Sequence, residues 1–304
     1  MHRSCRNTSQ ATPRNPWHRF WAGLHHVVKG PEPLAYQHAH RTWMLNRLFE
    51  SVDTGTCRTA VEIGCGDGIN CDTMALRFDR VVGFDINVNR LRHSTRNNVL
   101  LVAGDAERLP IGSHTADLVI SVALMEHMPD RIAAFRAFAT LVKPGGQCIH
   151  IAPVAPWKIF QWVLFPLAAI RQHLASLLRT MAGRRRVKQP EQNFTPRTGD
   201  VIHGETNNPR RTRKKVWYRK IVPRVHGEYD SNWDEFRQWR CIAWRQQAEA
   251  AGLRVVQQVK LGCASPYGFG LSRVLGRLQW LGLHTVVAFV VAPAEDAPAD
   301  DAEA

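Results

Sequence analysis

The residues best placed to do chemistry lie early in the chain, in Val61-Glu-Ile-Gly-Cys-Gly-Asp-Gly68. Glu62 is followed by Gly64, Gly66 and Gly68, so an apolar run ends in a turn that only glycines tolerate. Such a turn lets a backbone come close to a nucleoside-bearing cofactor. It is not the dinucleotide fingerprint G-x-G-x-x-G, because the third glycine comes one residue early and Ile69 takes its place. Two further acids end apolar runs: Asp85 closes Arg80–Asp85, and Asp105 closes Val99–Asp105. Ionised carboxylates are acceptor-only groups, and two of them at strand ends suit a ligand with a ribose diol and an adenine amine.

The elements that must hold these groups are legible around them. Arg58–Ile63 is short, apolar and β-branched and reads as a buried parallel strand, while Ile69–Leu76 reads as the helix after the turn. Strand, glycine turn and helix open a doubly wound α/β fold, which binds ligands at the carboxyl ends of its strands. Far downstream, Asp234–Ala251 reads as one helix ended by Gly252, Leu253–Leu261 as a strand and Val286–Ala292 as another.

Five motifs in order carry a resemblance: Glu62–Gly68, Gly83-Phe-Asp85, Gly104-Asp-Ala-Glu-Arg-Leu-Pro110, Ala123-Leu-Met-Glu-His-Met-Pro129 and Leu141-Val-Lys-Pro-Gly-Gly146. The chain resembles the class I S-adenosylmethionine-dependent methyltransferases of the small-molecule and lipid type, strongly over 55–153 and weakly over 235–292. The resemblance implies a Rossmann-like, mostly parallel seven-stranded sheet with a basic helical insertion after strand five. It implies S-adenosylmethionine as cofactor. By position, Gly64, Gly66 and Gly68 would pass close to its methionine part, Asp85 would accept the ribose hydroxyls, and Asp105, with Ala106 beside it, would face the adenine amine. Cys65, Ile86 and Ser121 fall at further cofactor-contact positions. Glu62 would order the loop or reach the cofactor's ammonium through water. Cys65 reads as a small side chain in the turn rather than a nucleophile, since no base is arranged beside it.

The chain has 304 residues, room for one large α/β domain with an insertion. The division expected is a basic N-terminal arm at 1–30, the cofactor-binding core at 31–156, the insertion or lid at 157–234, the core's completion at 235–292 and an acidic tail at 293–304. Both termini read as disordered, and Met1–Pro16 has no apolar segment of the kind a secretory signal needs. Seven cysteines without a C-x-x-C pair indicate neither a disulfide framework nor a zinc site, and no metal is expected from sequence; a cytoplasmic setting fits.

The net charge of +14 is concentrated. Sixteen Lys and Arg against three acids lie between Trp157 and Arg224, which implies a polyanionic partner: membrane headgroups, an anionic glycolipid or nucleic acid. The same segment opens with apolar residues at 160, 163, 164, 167, 170, 174, 177, 178 and 181, a helical spacing. Gln161, Pro166, Arg171 and His173 interrupt it and Arg184-Arg-Arg186 follows, so an amphipathic helix lying in a membrane interface fits better than one crossing it. A lid helix packed over the pocket is the competing reading. Trp217 and Tyr218 among basic residues keep nucleic acid open, and a solvated loop is the third possibility.

For catalysis, histidine titrates in the useful range. His127, beside Glu126 and just past strand four, reads as structural or cofactor-adjacent, with acid–base work as the alternative. His226, in Val225-His-Gly-Glu-Tyr229, enters the late helix from a loop that should sit over the pocket. The function expected is methyl transfer to a lipid, glycolipid or polysaccharide precursor at the cytosolic membrane face. The alternatives are an RNA methyltransferase and a non-catalytic, cofactor-bound accessory subunit. Sequence leaves the oligomeric state and the acceptor atom open.

Overall fold

The computed structural model describes residues 33–181, 223–263 and 282–294, apart from 93, 95, 224 and 228. The expected N-terminal arm, the basic run after Met181 and the tail beyond 294 lie outside the described residues. In chain order the elements are α1 (Pro33–Ser51), β1 (Thr59–Ile63), α2 (Ile69–Met74), β2 (Arg80–Asp85), β3 (Val99–Ala103), β4 (Ala116–Val122), a 3₁₀ turn (Met125–His127), α3 (Arg131–Thr140), β5 (Val142–Pro153), α4 (Ala155–Met181), α5 (Asn232–Gln238), α6 (Cys241–Ala250), β6 (Leu253–Lys260) and β7 (Val286–Pro293).

The strands form one seven-stranded sheet in the order β3-β2-β1-β4-β5-β7-β6. β1 pairs in parallel with β2 and β4, and β7 alone runs antiparallel to its neighbours β5 and β6. This is the doubly wound, mostly parallel sheet expected, with the helical insertion α4 entering after β5. Because side chains alternate across a strand, each central strand feeds two cores. On β4, Leu118 and Ile120 join Leu45, Leu48 and Met74 beneath α1 and α2, while Val119 joins Phe135, Phe138 and Trp244 beneath α3 and α6. The crevice between β1 and β4, where the connections change direction along the sheet, is where such folds take their ligands.

One expected element is corrected. The stretch read as a single helix, Asp234–Ala251, is two helices, α5 and α6, broken at Trp239–Arg240, where Arg240 is extended (φ −67°, ψ 140°). The break has a tertiary cause. Trp239 is fully buried, its indole N–H donates to the Tyr229 hydroxyl at 2.8 Å, and its carbonyl accepts the Ala155 N–H at 2.9 Å where α4 begins. A continuous helix would commit that carbonyl to its own axis and untie α4 from the core.

Candidate active site at the carboxyl ends of the strands

At the end of β1 the backbone passes through Gly64, Gly66 and Gly68 with φ of 75°, 60° and 79°. Gly68 shows why side chains are excluded: it stands in the left-handed region, and a Cβ there would lie 2.6 Å from Leu101 Cδ1. Glu62, buried at the penultimate position of β1, accepts from Asn70 Nδ2 at 2.6 Å and Cys71 Sγ at 3.1 Å. Burial pushes its pKa up to about 7, with those two bonds pulling the other way. Its carboxyl thus fastens the strand to α2 across the turn, which is the loop-ordering arrangement.

Asp85 stands at the end of β2, buried, its Oδ2 accepting the Gly66 N–H at 2.7 Å and its Oδ1 the Asn87 N–H at 2.9 Å. Each oxygen can accept a second donor. Asp105 lies two residues beyond the end of β3 rather than on it, is exposed, and accepts the Glu107 N–H at 3.0 Å. Ala106 beside it is half-buried, and Ile86 is exposed. Cys65 turns its side chain into the core under α1 and α2. Ser121 is fully buried, its hydroxyl within 2.9 Å of His150 Nδ1 inside the sheet.

The N-terminal helix is clipped to this turn. Asp67, between Gly66 and Gly68, faces His38 Nε2 at 2.8 Å and Arg41 Nη1 at 3.4 Å, both on α1. Burial alone would raise the Asp67 pKa, but the His38 bond and the Arg41 charge hold it below its ordinary value.

The second half of the site is built beyond β4. Ala123 takes a left-handed backbone (φ 50°) and turns the chain into the Met125–His127 helical turn. Glu126 is 1% exposed, its Oε2 has no hydrogen-bond partner, and burial pushes its pKa up to about 7. His127 lies against His226, ring centroids 4.8 Å apart at 63°. Burial lowers both imidazoles, His226 to about 3, with His127 and Lys158 adding to the shift, so both rings are neutral at ordinary pH.

His226 is brought there by three contacts. Gly227 has φ +81°, and a Cβ on it would sit 2.2 Å from the Glu126 carbonyl oxygen, so only glycine lets the loop lie flat on that turn. The His226 N–H donates to Glu235 Oε2 at 3.0 Å. Glu235 is in turn paired with Lys158 at 2.5 Å, both side chains fully buried, so α4 and α5 are joined at the point from which His226 hangs. Arg131 steadies the other side, donating to the Met125 carbonyl at 3.2 Å and lying 4.4 Å over the Tyr229 ring.

The structure brings His127 and His226 together and sets Gly64, Gly66, Gly68 and Asp85 around one turn. Sequence reasoning missed Ala123, Arg131, Lys158, Gly227 and Glu235. Ala123, first in the quoted motif Ala123–Pro129, and Gly227, beside a chosen histidine, left traces that could have been followed. The close backbone at the glycines and the buried acceptor at Asp85 fit a ribosyl cofactor with a flexible zwitterionic arm.

Comparison with known proteins agrees. Residues 61–150 match a family described as a methyltransferase domain. A chain of the complex between the Haloferax volcanii Trm112 methyltransferase activator and a methyltransferase superposes with a TM-score of 0.50 at 14% identity, covering 93% of this chain and 100% of that one. Fold, turn and matched segment define a class I S-adenosylmethionine-dependent methyltransferase fold, and S-adenosylmethionine is the cofactor it serves. Among curated proteins, a Ubiquinone biosynthesis O-methyltransferase from Ralstonia nicotianae is 35% identical over 130 residues, 36% of this chain and 55% of that protein. One from Vibrio cholerae serotype O1 is 31% identical over 113 residues, 34% of this chain and 45% of that protein. This chain thus spans about half the length of the curated relatives it matches.

Proposed function

We propose that this chain transfers the methyl group of S-adenosylmethionine to an oxygen of an apolar, lipid-like small molecule that it reaches at a membrane surface. The observation that carries the methyl-transfer reading is the glycine turn with its Gly66 N–H on the buried Asp85 carboxylate. Asp85 would hold the ribose hydroxyls, Gly64, Gly66 and Gly68 the methionine part, and Asp105 and Ala106 the adenine edge; exposed Ile86 would pack on the cofactor, while Cys65 and Ser121 would support that edge from within the core rather than touch it. When bound, S-adenosylmethionine supplies an electrophilic methyl on a sulfonium. The chain's own contribution is to hold the acceptor oxygen in line, and positioning of this kind can supply on the order of 7–11 kcal/mol in favourable cases.

His127 and His226, facing one another, would orient that oxygen. Burial makes them weak bases, so orientation is the larger part of their role. The oxygen acceptor is favoured by the printed activity of the relatives, Ubiquinone biosynthesis O-methyltransferase.

The membrane part rests on α4. Ile159, Val163, Leu167, Ile170 and Leu174 recur at helical spacing and are all exposed. Beside this stripe, Trp162, Phe236 and Trp233 stack at 5.6 and 5.3 Å, with Trp233 itself exposed. Among the described residues no helix is long and apolar enough to cross a membrane. An apolar stripe with interfacial tryptophans, followed in sequence by Arg184, Arg185 and Arg186, suits a helix lying in the headgroup layer of an anionic bilayer.

The test is to incubate the protein with methyl-labelled S-adenosylmethionine and a lysate containing membranes and RNA, then count label in organic, nucleic-acid and aqueous fractions. Label in the organic fraction is expected. Label in RNA would replace this reading with the nucleic-acid one, and no transfer with cofactor still bound would point to an accessory subunit. In parallel, replacing Arg184, Arg185 and Arg186 with Glu should release the protein from anionic vesicles.

A further inference from the structure

The cluster at the end of β4 holds more donors than orientation of one hydroxyl requires. Glu126, His127 and His226 each offer one ligand atom, and these atoms all lie within 4.8 Å of one another. We propose that Glu126, His127 and His226 form a binding site for a divalent transition-metal ion of the zinc type, with an open coordination position facing the acceptor.

Four observations carry this. Two imidazoles and one carboxylate are a donor set that binds catalytic zinc and leaves room for a further ligand. Glu126 is 1% exposed and its Oε2 has no hydrogen-bond partner, a costly arrangement for a buried carboxyl that a bound cation would satisfy. Ligands on a tetrahedral ion lie at roughly 2.0–2.2 Å from it and hence about 3.5 Å from one another, so the three atoms would have to close by only about an ångström to converge. The facing rings of His127 and His226, 4.8 Å apart and inclined at 63°, are those of two side chains that can point at one centre.

The surrounding charges permit a cation. Of the two cations near the site, Lys158 is paired with Glu235, while Arg131, bonded to the Met125 carbonyl and lying over the Tyr229 ring, keeps its charge, which the Glu126 carboxylate offsets. The pair Lys158–Glu235 also holds the His226 backbone, which supplies the anchoring that a ligand from a loop needs. The ligands come from two distant segments, so the ion would close the α4–α5 region onto β4 as well as present a position for an acceptor oxygen.

The inference rests on the reading that this end of β4 faces the acceptor, and its test is independent of methyl transfer. Protein freed of metal by a chelator is titrated with Zn(II) by calorimetry, and with Co(II) by visible absorption, alongside a titration with S-adenosylmethionine. The expected result is one ion per chain, the strong visible bands of four- or five-coordinate cobalt, and a loss of affinity of about 100-fold or more in His226→Ala and in His127→Ala. Glu126→Gln should weaken the ion in the same way. Cofactor affinity and thermal midpoint in each variant report whether the fold is kept. No stoichiometric ion in the parent protein, or an ion retained with unchanged affinity in the His127→Ala/His226→Ala double variant, overturns the site. Failure of S-adenosylmethionine to bind the parent protein would instead overturn the functional reading, whatever the metal does.

Discussion

The two halves of the site differ in how completely their carboxylates are satisfied, although Asn70 Oδ1 beside Glu62 also lacks a partner. Around the glycine turn, Glu62, Asp67 and Asp85 each have two partners within the chain, drawn from the turn itself, α1, α2 or the residues just after β2. Beyond β4, Glu126 keeps an oxygen without a partner, Glu235 keeps another, and the histidines meet chiefly through their rings. A half whose groups are already bonded is preorganised for one ligand, whereas a half with unsatisfied buried groups waits for its partner to complete it. On the proposed reading, the difference means that cofactor recognition would be built into the glycine turn and its neighbours, and acceptor recognition assembled from α4, α5 and the β4 turn.

The largest effect that would break this contrast lies at the hinge of the second half. Lys158→Met leaves the Glu235 carboxyl buried beside an apolar side chain and should cost about 3–5 kcal/mol in urea unfolding. Lys158→Met with Glu235→Leu should recover most of that loss, while still freeing the His226 loop. Equal destabilisation in the single and double variants would show that the pair is not what joins α4 to α5.

Next in size is a pH effect from the first half. The Glu62 pKa stands at about 7 in the folded protein against an ordinary 4.5. The folded state therefore holds a proton that the unfolded state has released, and stability from this group, full below about 4.5, falls as pH rises toward 7 and beyond. The loss is about 3 kcal/mol, and Glu62→Gln should flatten that slope in denaturation curves measured across the window. A slope unchanged in the variant would place its origin elsewhere.

A smaller effect is expected at Gly68. Placing Ala at its φ of +79° costs about 1–2 kcal/mol and moves Leu101, so Gly68→Ala should lower both the unfolding midpoint and cofactor affinity. The smallest is a gain. Ala123 holds a left-handed backbone at φ 50°, and Ala123→Gly should relieve up to about 1 kcal/mol, offset in part by the freedom glycine adds to the unfolded chain.

How much of this could be read from sequence follows the same division. β1, β2 and the glycine turn were legible because their signals are contiguous: apolar run, glycines, terminal Asp85. Asp105 was placed on a strand that stops at Ala103, since nothing local marks where β3 leaves the sheet. The break at Trp239 was invisible, because it is set by a buried indole and by a carbonyl given to Ala155 on another element. The Lys158–Glu235 pair and the approach of His226 to Glu126 and His127 depend on long-range packing, and Lys158 read only as one more charge in a basic run. The apolar stripe of α4 was legible from its spacing, although which of its faces would stay exposed was not.

The most direct test of the account is a calorimetric titration of S-adenosylmethionine into the parent protein, Asp85→Ala and the His127→Ala/His226→Ala double variant. The account predicts that Asp85→Ala loses affinity by on the order of 100-fold while staying folded, its unfolding midpoint lowered by the loss of the two backbone N–H bonds it accepts, and that the histidine variant binds the cofactor as the parent does. Full affinity in Asp85→Ala, or loss of cofactor binding in the folded histidine variant, would contradict the division of the site into a cofactor half and an acceptor half.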